Sequence, residues 1–163
     1  VMYAAIANGG ELVKPQVRRA IVTPTGKVLE KFEKTVTGTL PIKKSTLKLL
    51  QTSLRAVVTS GTARGAFAGL RAEVSGKTGT GQVFGRNLDG SAKDDTSWFA
   101  SYAPSKDPQY VVVMMVSQGG FGASASGVGV RRIYDSIFGE SGKQAIFPNG
   151  ASTQIPAIKN KVS

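Results

Sequence analysis

The sequence contains neither cysteine nor histidine among its 163 residues. The absence of cysteine excludes disulfide bonds, thiolate metal sites and a cysteine nucleophile. The absence of histidine excludes a serine–histidine catalytic pair and removes the most common metal ligand in proteins. Lysine, aspartate, glutamate or tyrosine must therefore supply any acid–base chemistry.

No apolar stretch is long enough to cross a membrane. The longest apolar runs are residues 1–7 and 110–116, whereas a membrane-spanning helix needs about 20 such residues. The first run is not a signal peptide, because no basic stretch precedes it. It leads into Asn8 and Gly9, which favour a left-handed helix end, so it resembles the end of a helix that starts in a preceding segment. We therefore expect the chain to be a C-terminal piece of a longer protein.

Acidic residues are also scarce, at 10 against 21 basic ones. Residues 1–72 alone carry 12 basic and 3 acidic side chains. Such a basic surface attracts nucleic acids, anionic lipids and acidic polymers. No arginine-rich helix, zinc module or aromatic RNA-binding motif accompanies it. We therefore expect no nucleic-acid partner and favour a basic surface that keeps the domain soluble.

The hydrophobic pattern predicts an α+β fold, in which helices cover one face of an antiparallel sheet. The predicted strands are residues 12–22, 27–32, 74–83, 96–103 and 109–117, and the predicted helices are residues 46–60 and 130–138. Thr-Pro-Thr-Gly at residues 23–26 predicts a turn between the first two strands. Short connections join the last three strands, which implies an antiparallel meander. The continuously apolar last strand indicates burial on both of its faces.

The most informative stretch is Ser-Gly-Lys-Thr-Gly-Thr-Gly-Gln at residues 75–82. Strand interiors normally avoid glycine, so its repetition here suggests that another group approaches the backbone closely. Extended geometry places Lys77 and Gly79 on one face and Thr78 and Thr80 on the other. At a sheet edge such a strand can pair with an extended peptide, and its ammonium and hydroxyl groups can hold a carboxylate. The alternative is a glycine-rich hairpin edge with an incidental lysine.

Four segments together resemble a known family. K-T-G-T-G-Q at residues 77–82 resembles the third motif of penicillin-binding proteins and serine β-lactamases. Y-A-A-I-A-N-G-G at residues 3–10, V-V-T-S-G-T-A at 57–63 and W-F-A-S-Y-A-P at 98–104 resemble transpeptidase segments in the same order. Ser101 stands where glycine is usual. The chain is thus similar to the C-terminal part of the transpeptidase domain of a class B (monofunctional) penicillin-binding protein.

The resemblance implies a domain organisation and an upstream nucleophile. Residues 1–147 would form the C-terminal part of the transpeptidase domain, and residues 148–163 a polar tail. The family's S-x-x-K and S-x-N motifs are not found in a suitable place. The letters S-x-x-K occur at residues 45–48, but they follow the Ala-Asn-Gly-Gly segment, so we predict that Ser45 is a helix N-cap. The nucleophilic serine is expected in an upstream segment of the same protein.

The resemblance also implies a serine-type D-Ala-D-Ala transpeptidase, which crosslinks peptidoglycan stem peptides and is acylated by β-lactams. Lys77 and Thr80 would be catalytic, Lys77 through its charge beside the serine and Thr80 through an oxyanion-hole N–H. Thr78, Gly79 and Thr80 would bind substrate, the two hydroxyls holding its terminal carboxylate. No cofactor and no metal are expected, because the acidic pair 94–95 has no clustered partner ligand.

The implied location is the extracytoplasmic face of the bacterial cell membrane. The implied partners are stem peptides, β-lactams, the upstream segment and, as a further candidate, a membrane-embedded glycosyltransferase. We predict that Trp98 packs beneath the motif strand and that Arg131 is solvated or ion-paired at the surface. Two alternatives stay open: a β-lactam sensor or class D β-lactamase-like domain, and a non-catalytic basic domain that binds cell wall.

Overall fold

The computed structural model describes residues 1–139. Its helices are α1 (Met2–Ala7), α2 (Lys44–Thr59) and α3 (Val128–Phe138), and a π-helical turn, Ala123–Gly127, directly precedes α3. Its strands are β1 (Glu11–Val13), β2 (Ala20–Val22), β3 (Val28–Lys31), β4 (Val36–Thr39), β5 (Ser75–Gly81), β6 (Thr96–Ala103) and β7 (Tyr110–Val116). The predicted tail, residues 148–163, lies outside the described residues.

The main sheet contains β5, β6 and β7 in that order, with both pairs antiparallel. The pairing of β5 with β6 runs without interruption from Ser75 opposite Tyr102 to Gly81 opposite Thr96. The predicted meander and the α+β class are therefore confirmed. Within this three-stranded sheet β5 is an edge strand, which is the position that the glycine-rich motif requires for pairing with a peptide.

α3 covers one face of the sheet, as predicted, whereas α2 lies against β5 and contributes side chains to the buried clusters on both faces. Val58 of α2 and Val130 of α3 belong to the same buried cluster as Phe99 of β6. The ring of Phe67, from the connection after α2, stacks on Phe99 with ring centres 5.1 Å apart. This core fixes the position of α2 and the loop that follows it relative to β5 and β6.

The opposite sheet face carries α1. Ile6 packs with Tyr102 of β6 and with Leu47 and Leu54 of α2 in a second buried cluster. At the end of α1, Gly9 has the predicted left-handed backbone, with φ of 91°. Asn8 contributes differently from the prediction: its φ is −87°, and its side-chain oxygen accepts a hydrogen bond from the backbone N–H of Glu11 at 2.9 Å.

The predicted long strand over residues 12–22 is wrong. β1 ends at Val13 and β2 begins only at Ala20, and between them lies Pro15, which has no N–H for ladder pairing. β1 pairs instead with β4, a strand that we did not predict, while β2 pairs with β3. The predicted turn between β2 and β3 is present, because the N–H of Gly26 donates to the carbonyl of Thr23 at 2.9 Å.

The predicted N-cap role of Ser45 is also wrong. The N-cap of α2 is Lys43, which has extended backbone angles and no side-chain capping bond. Because the helix already begins at Lys44, Ser45 lies inside its first turn. The serine of the S-x-x-K letters is therefore a helical residue and not a capping residue.

The predicted burial of the last strand on both faces is wrong as well. Val112 and Met114 pack against the α2–α3 core, but Val111, Val113 and Met115 are 40%, 54% and 54% exposed. These exposed residues alternate with the partly buried ones, so they form an apolar stripe on the α1 side of the sheet. Within residues 1–139, no helix combines the length and the apolar character needed to span a membrane.

Candidate active site

The K-T-G-T motif lies on β5, at the edge of the main sheet. Lys77 stands opposite Ala100 and Thr78 opposite Phe99, and paired residues in a ladder share a face. Lys77 therefore points to the α1 side and Thr78 to the side of the α2–α3 core. The alternation that the sequence predicted for these residues is confirmed.

A line of polar groups runs along this edge. The Nζ of Lys77 donates to the carbonyl of Thr78 at 2.9 Å and lies 3.5 Å from its Oγ1. The Oγ1 of Thr78 is in turn 3.0 Å from the Oγ1 of Thr62. One ammonium and two hydroxyls thus form a connected set of hydrogen-bond donors. Such a set suits an anionic ligand, because bonds from a charged donor to a carboxylate are among the strongest in proteins.

Thr80 completes the motif on the same strand. Its side chain is exposed, and within residues 1–139 the structure gives its hydroxyl no hydrogen-bond partner. Thr80 stands opposite Ser97 of β6. Its hydroxyl therefore remains available to a ligand that approaches the edge of β5.

Internal packing explains some of the glycines in and around the motif. A Cβ at Gly76 would lie 2.8 Å from both the carbonyl oxygen of Ala100 and the Cβ of Ser101. A Cβ at Gly79 would lie 3.2 Å from the Cβ of Trp98. A side chain at Gly122, in front of the π-helical turn, would meet the carbonyl oxygen of Gly79 at 2.6 Å. Part of the glycine pattern thus reflects close contact within the domain, whatever approaches from outside.

A family model described as the penicillin binding protein transpeptidase domain matches residues 1–137. The chain belongs to this transpeptidase family. The resemblance to class B penicillin-binding proteins that the sequence motifs predicted is thereby confirmed.

Individual relatives agree with the family. The domain is 35% identical over 122 residues to penicillin-binding protein H of Bacillus subtilis, covering 69% of this chain and 17% of that protein. It is 31% identical over 142 residues to peptidoglycan D,D-transpeptidase MrdA of Haemophilus influenzae, covering 80% of this chain and 21% of that protein. The fold matches the D,D-transpeptidase domain of a peptidoglycan glycosyltransferase from Eggerthella lenta with a TM-score of 0.63 and 27% identity, over 78% of this chain and 28% of that one.

In this transpeptidase domain, Trp98 lies on the same face as Lys77. It stands opposite Gly79, and a Cβ at Gly81 would lie 3.8 Å from its Nε1. The indole thus occupies the space that the two glycines leave, as predicted. It remains 41% exposed, so the indole is only partly covered.

Hydrogen bonds near both ends fix the loop that carries Thr62. One of them comes from Arg131, a contact that the sequence did not predict. The N–H of Ala63 donates to the carbonyl of Val57 at 3.1 Å. The guanidinium of Arg131 donates to the carbonyl of Ala68 at 2.6 Å and pairs with Asp135 at 3.1 Å. The predicted ion pair of Arg131 is thus confirmed, but nothing in the sequence marked its contact with the loop.

Tyrosines near the α1 side are not bases. Burial raises the pKa of Tyr102 and of Tyr3, so both hydroxyls stay protonated at neutral pH. The hydroxyl of Tyr102 is buried beside the side chain of Ser75. In the loop between β5 and β6, hydrogen bonds from Ser91 lower the pKa of the exposed Asp89. On β5 itself, Lys77 is the one ionisable side chain.

A concave surface feature lies away from the motif strand. A groove of about 430 Å³ is lined by the start of α1 and by the connections of the small strands, and none of its residues belongs to β5. Its cationic lining residues are Lys14, Arg18, Arg19 and Lys34. Lys34 pairs with Glu11, and the guanidinium of Arg18 lies 4.6 Å from the centre of the Phe32 ring. The groove therefore accounts for part of the positive charge of residues 1–72.

Proposed function

We propose that this chain is part of a peptidoglycan D,D-transpeptidase, which crosslinks stem peptides through a serine acyl-enzyme and is acylated by β-lactams. The observation that carries the proposal is the polar line at the open edge of β5, where Lys77 lies within 3.5 Å of the hydroxyl of Thr78. Membership of the transpeptidase family supports it, as does the relative named a peptidoglycan D,D-transpeptidase. Residues 1–147 would be the C-terminal part of the domain and residues 148–163 a tail.

The first proposed task of the strand is to bind the terminal carboxylate of D-Ala-D-Ala. Thr78 and Thr80 offer hydroxyl donors, and Lys77 adds a positive charge beside them. A penicillin also carries a carboxylate, on the carbon attached to its lactam nitrogen, so it would occupy the same donors. Gly79 leaves the strand without a side chain between the two threonines, where the backbone of the substrate would lie.

The second proposed task is stabilisation of the tetrahedral intermediate. Alternate residues of an edge strand direct their N–H and C=O groups away from the partner strand. The carbonyl of Thr78 accepts a bond from the Lys77 side chain, which fits an outward orientation, and Thr80 is two residues further along. We infer that the N–H of Thr80 faces the open edge, where it would donate to the developing oxyanion. Removing one such donor typically lowers the rate about 100- to 1000-fold.

The nucleophilic serine and its lysine would come from an upstream segment of the same protein. The positive charge of Lys77 would favour transfer of the serine proton and stabilise negative charge at the reacting centre. The Oγ of this serine would bond to the carbonyl carbon of the penultimate D-Ala. The peptide bond to the terminal D-Ala would break, and that residue would leave with a free amine. An amine of a second stem peptide would then take the acyl group and restore the serine. This reaction would take place at the extracytoplasmic face of the membrane, beside a glycosyltransferase partner.

The test uses the complete protein that contains this chain. We expect it to release D-Ala from a stem pentapeptide and to form a crosslinked product with an amine acceptor, both detectable by mass spectrometry. Lys77→Ala should abolish most of both activities, whereas Lys106→Ala, in the β6–β7 turn, should change neither. Acylation by penicillin without D-Ala release would favour a sensor, and rapid hydrolysis of penicillin would favour a class D β-lactamase-like enzyme.

The basic groove supports a second candidate function, binding to an acidic cell-wall polymer. Within residues 1–139, Lys14, Arg18 and Arg19 form no ion pair with a carboxylate. Their charge would attract an anionic polymer, with or without catalysis by the rest of the protein. Absence of any acylation together with binding to purified cell wall would favour this candidate over the transpeptidase.

A further inference from the structure

We propose that Thr62 is a positioning residue for carboxylate recognition, and that it acts through Thr78. This inference rests on the proposed function, because it assumes that Thr78 binds the carboxylate of the substrate or β-lactam. The observation behind it is the 3.0 Å separation of the two hydroxyl oxygens. The two residues are 16 positions apart in the sequence, and they meet only because the loop after α2 returns to the edge of β5.

The number of protons decides which of the two hydroxyls donates the hydrogen bond. A hydroxyl donates one hydrogen bond and accepts up to two. When Thr78 donates its proton to a carboxylate, its oxygen can accept two bonds: the Nζ of Lys77 lies 3.5 Å away, and the hydroxyl of Thr62, at 3.0 Å, is the nearer donor. A hydrogen-bonded chain polarises its members, so the bond from Thr78 to the carboxylate becomes stronger. Without Thr62, the Thr78 hydroxyl would rotate more freely.

The position of Thr62 suits this role. Its side chain is exposed, so it contributes little to the core, and its replacement need not disturb the fold. The neighbouring Ala63 is fully buried, which anchors the backbone next to it. The bond from Arg131 to the carbonyl of Ala68 holds the far side of the same loop. Thr62 is therefore an exposed hydroxyl on a well-fixed support, as a positioning residue requires.

The proposed role of Thr62 predicts an effect that depends on the carboxylate of the ligand. Thr62 should improve binding of ligands that carry the carboxylate, and it should have little effect on ligands in which this group is masked. A residue with a merely structural role would affect both kinds of ligand equally. Benzylpenicillin and its methyl ester make this distinction, since they share the reactive β-lactam ring and differ in the carboxylate.

The experiment measures acylation kinetics of the complete protein with both compounds. For Thr62→Val we expect the second-order rate constant with benzylpenicillin to fall about 3- to 10-fold, the typical effect of one hydrogen bond. The fall should appear as weaker binding before acylation and not as a slower acylation step. With the methyl ester the rate constant should change less than about twofold, which is the usual effect of replacing an exposed hydroxyl with a methyl group. Thr62→Ser should restore the rate, because it keeps the hydroxyl.

Two further variants make the test specific. Thr52→Val removes another exposed hydroxyl, one that bonds to the carbonyl of Lys48 within α2, and it should leave both rates unchanged. In a Thr78→Val background, Thr62→Val should have no further effect. Equal slowing with both compounds, or an unchanged rate with benzylpenicillin, would overturn the inference alone. Failure of the unsubstituted protein to react with benzylpenicillin would overturn the proposed function and the inference together.

Discussion

The hydroxyl of Tyr134 on α3 lies 3.0 Å from the Oγ of Ser101 on β6, and neither side chain is exposed to solvent. The Oγ of Ser101 also donates to the carbonyl of Val112 at 3.0 Å. Because a hydroxyl has one proton, the bond between the two side chains must be donated by Tyr134. Ser101 occupies a position where glycine is usual in the family segment, and here it provides the acceptor for a buried tyrosine.

Removal of this acceptor should destabilise the domain. We expect Ser101→Ala to lower the free energy of unfolding by about 1–3 kcal/mol, because it removes the hydrogen bond between Ser101 and the buried Tyr134 hydroxyl. Tyr134→Phe should cost less, since Ser101 keeps its bond to Val112. Denaturant unfolding of the two single variants and the double variant measures both effects. An equal cost of Ser101→Ala with and without Tyr134→Phe would contradict a direct bond.

The same tyrosine should make stability depend on alkaline pH. Burial raises the pKa of Tyr134 from 10.0 to about 12, so the fold favours the protonated form. Its contribution is complete below the unfolded value near pH 10 and is lost as the pH rises towards 12. We expect melting temperatures to fall over this interval, and to fall less steeply in Tyr134→Phe. Parallel curves for both proteins would assign the loss to other groups, such as lysines.

The larger features of the fold followed from the sequence. The hydrophobic pattern predicted a helix over residues 46–60, where α2 lies, and the short connections between the last three strands predicted their antiparallel meander. The register of β5 on β6 confirmed the face alternation of Lys77 and Thr78. These features depend on periodicity and local turn chemistry, which a single sequence contains.

The features that the sequence did not predict depend on contacts between distant residues. β4 is short and contains a glycine, and it pairs with β1 across an intervening hairpin, so no local pattern marks it. The contact of Thr62 with Thr78 likewise depends on how a loop returns to the sheet. The exposure of Val113 could not be predicted either, because an apolar run does not tell which of its faces finds a partner.

The apolar stripe on β7 leads to a prediction for the isolated chain. Val111, Val113 and Met115 are all at least 40% exposed, and β7 is an edge strand. Exposed apolar edge strands promote aggregation, so residues 1–163 expressed alone should be poorly soluble, and Val113→Lys should improve recovery of soluble protein. Fluorescent penicillin should not label this chain. A soluble, cooperatively folded and covalently labelled chain would contradict the prediction.

The basic groove predicts a dependence on salt. If Arg18 and Arg19 attract anionic cell wall, sedimentation of the protein with purified wall should weaken steeply up to about 0.2 M salt, where charges are screened beyond roughly 8 Å. Arg18→Glu combined with Arg19→Glu should weaken binding at low salt, whereas Lys106→Glu, outside the groove, should have less effect. Binding that ignores salt, or no binding at low salt, would mean that the excess charge only keeps the protein soluble.

The account depends most directly on the role of Lys77. In the complete protein, we expect Lys77→Ala to slow acylation by benzylpenicillin on the order of 100-fold, as for a group that stabilises charge in the transition state. Its free energy of unfolding should change by less than about 0.5 kcal/mol, because an exposed lysine contributes little to folding. Lys106→Ala serves as the matched control and should acylate at the unsubstituted rate. The decisive measurement is the acylation rate constant of Lys77→Ala by mass spectrometry: a large loss with unchanged stability supports the account, and acylation at the unsubstituted rate contradicts it.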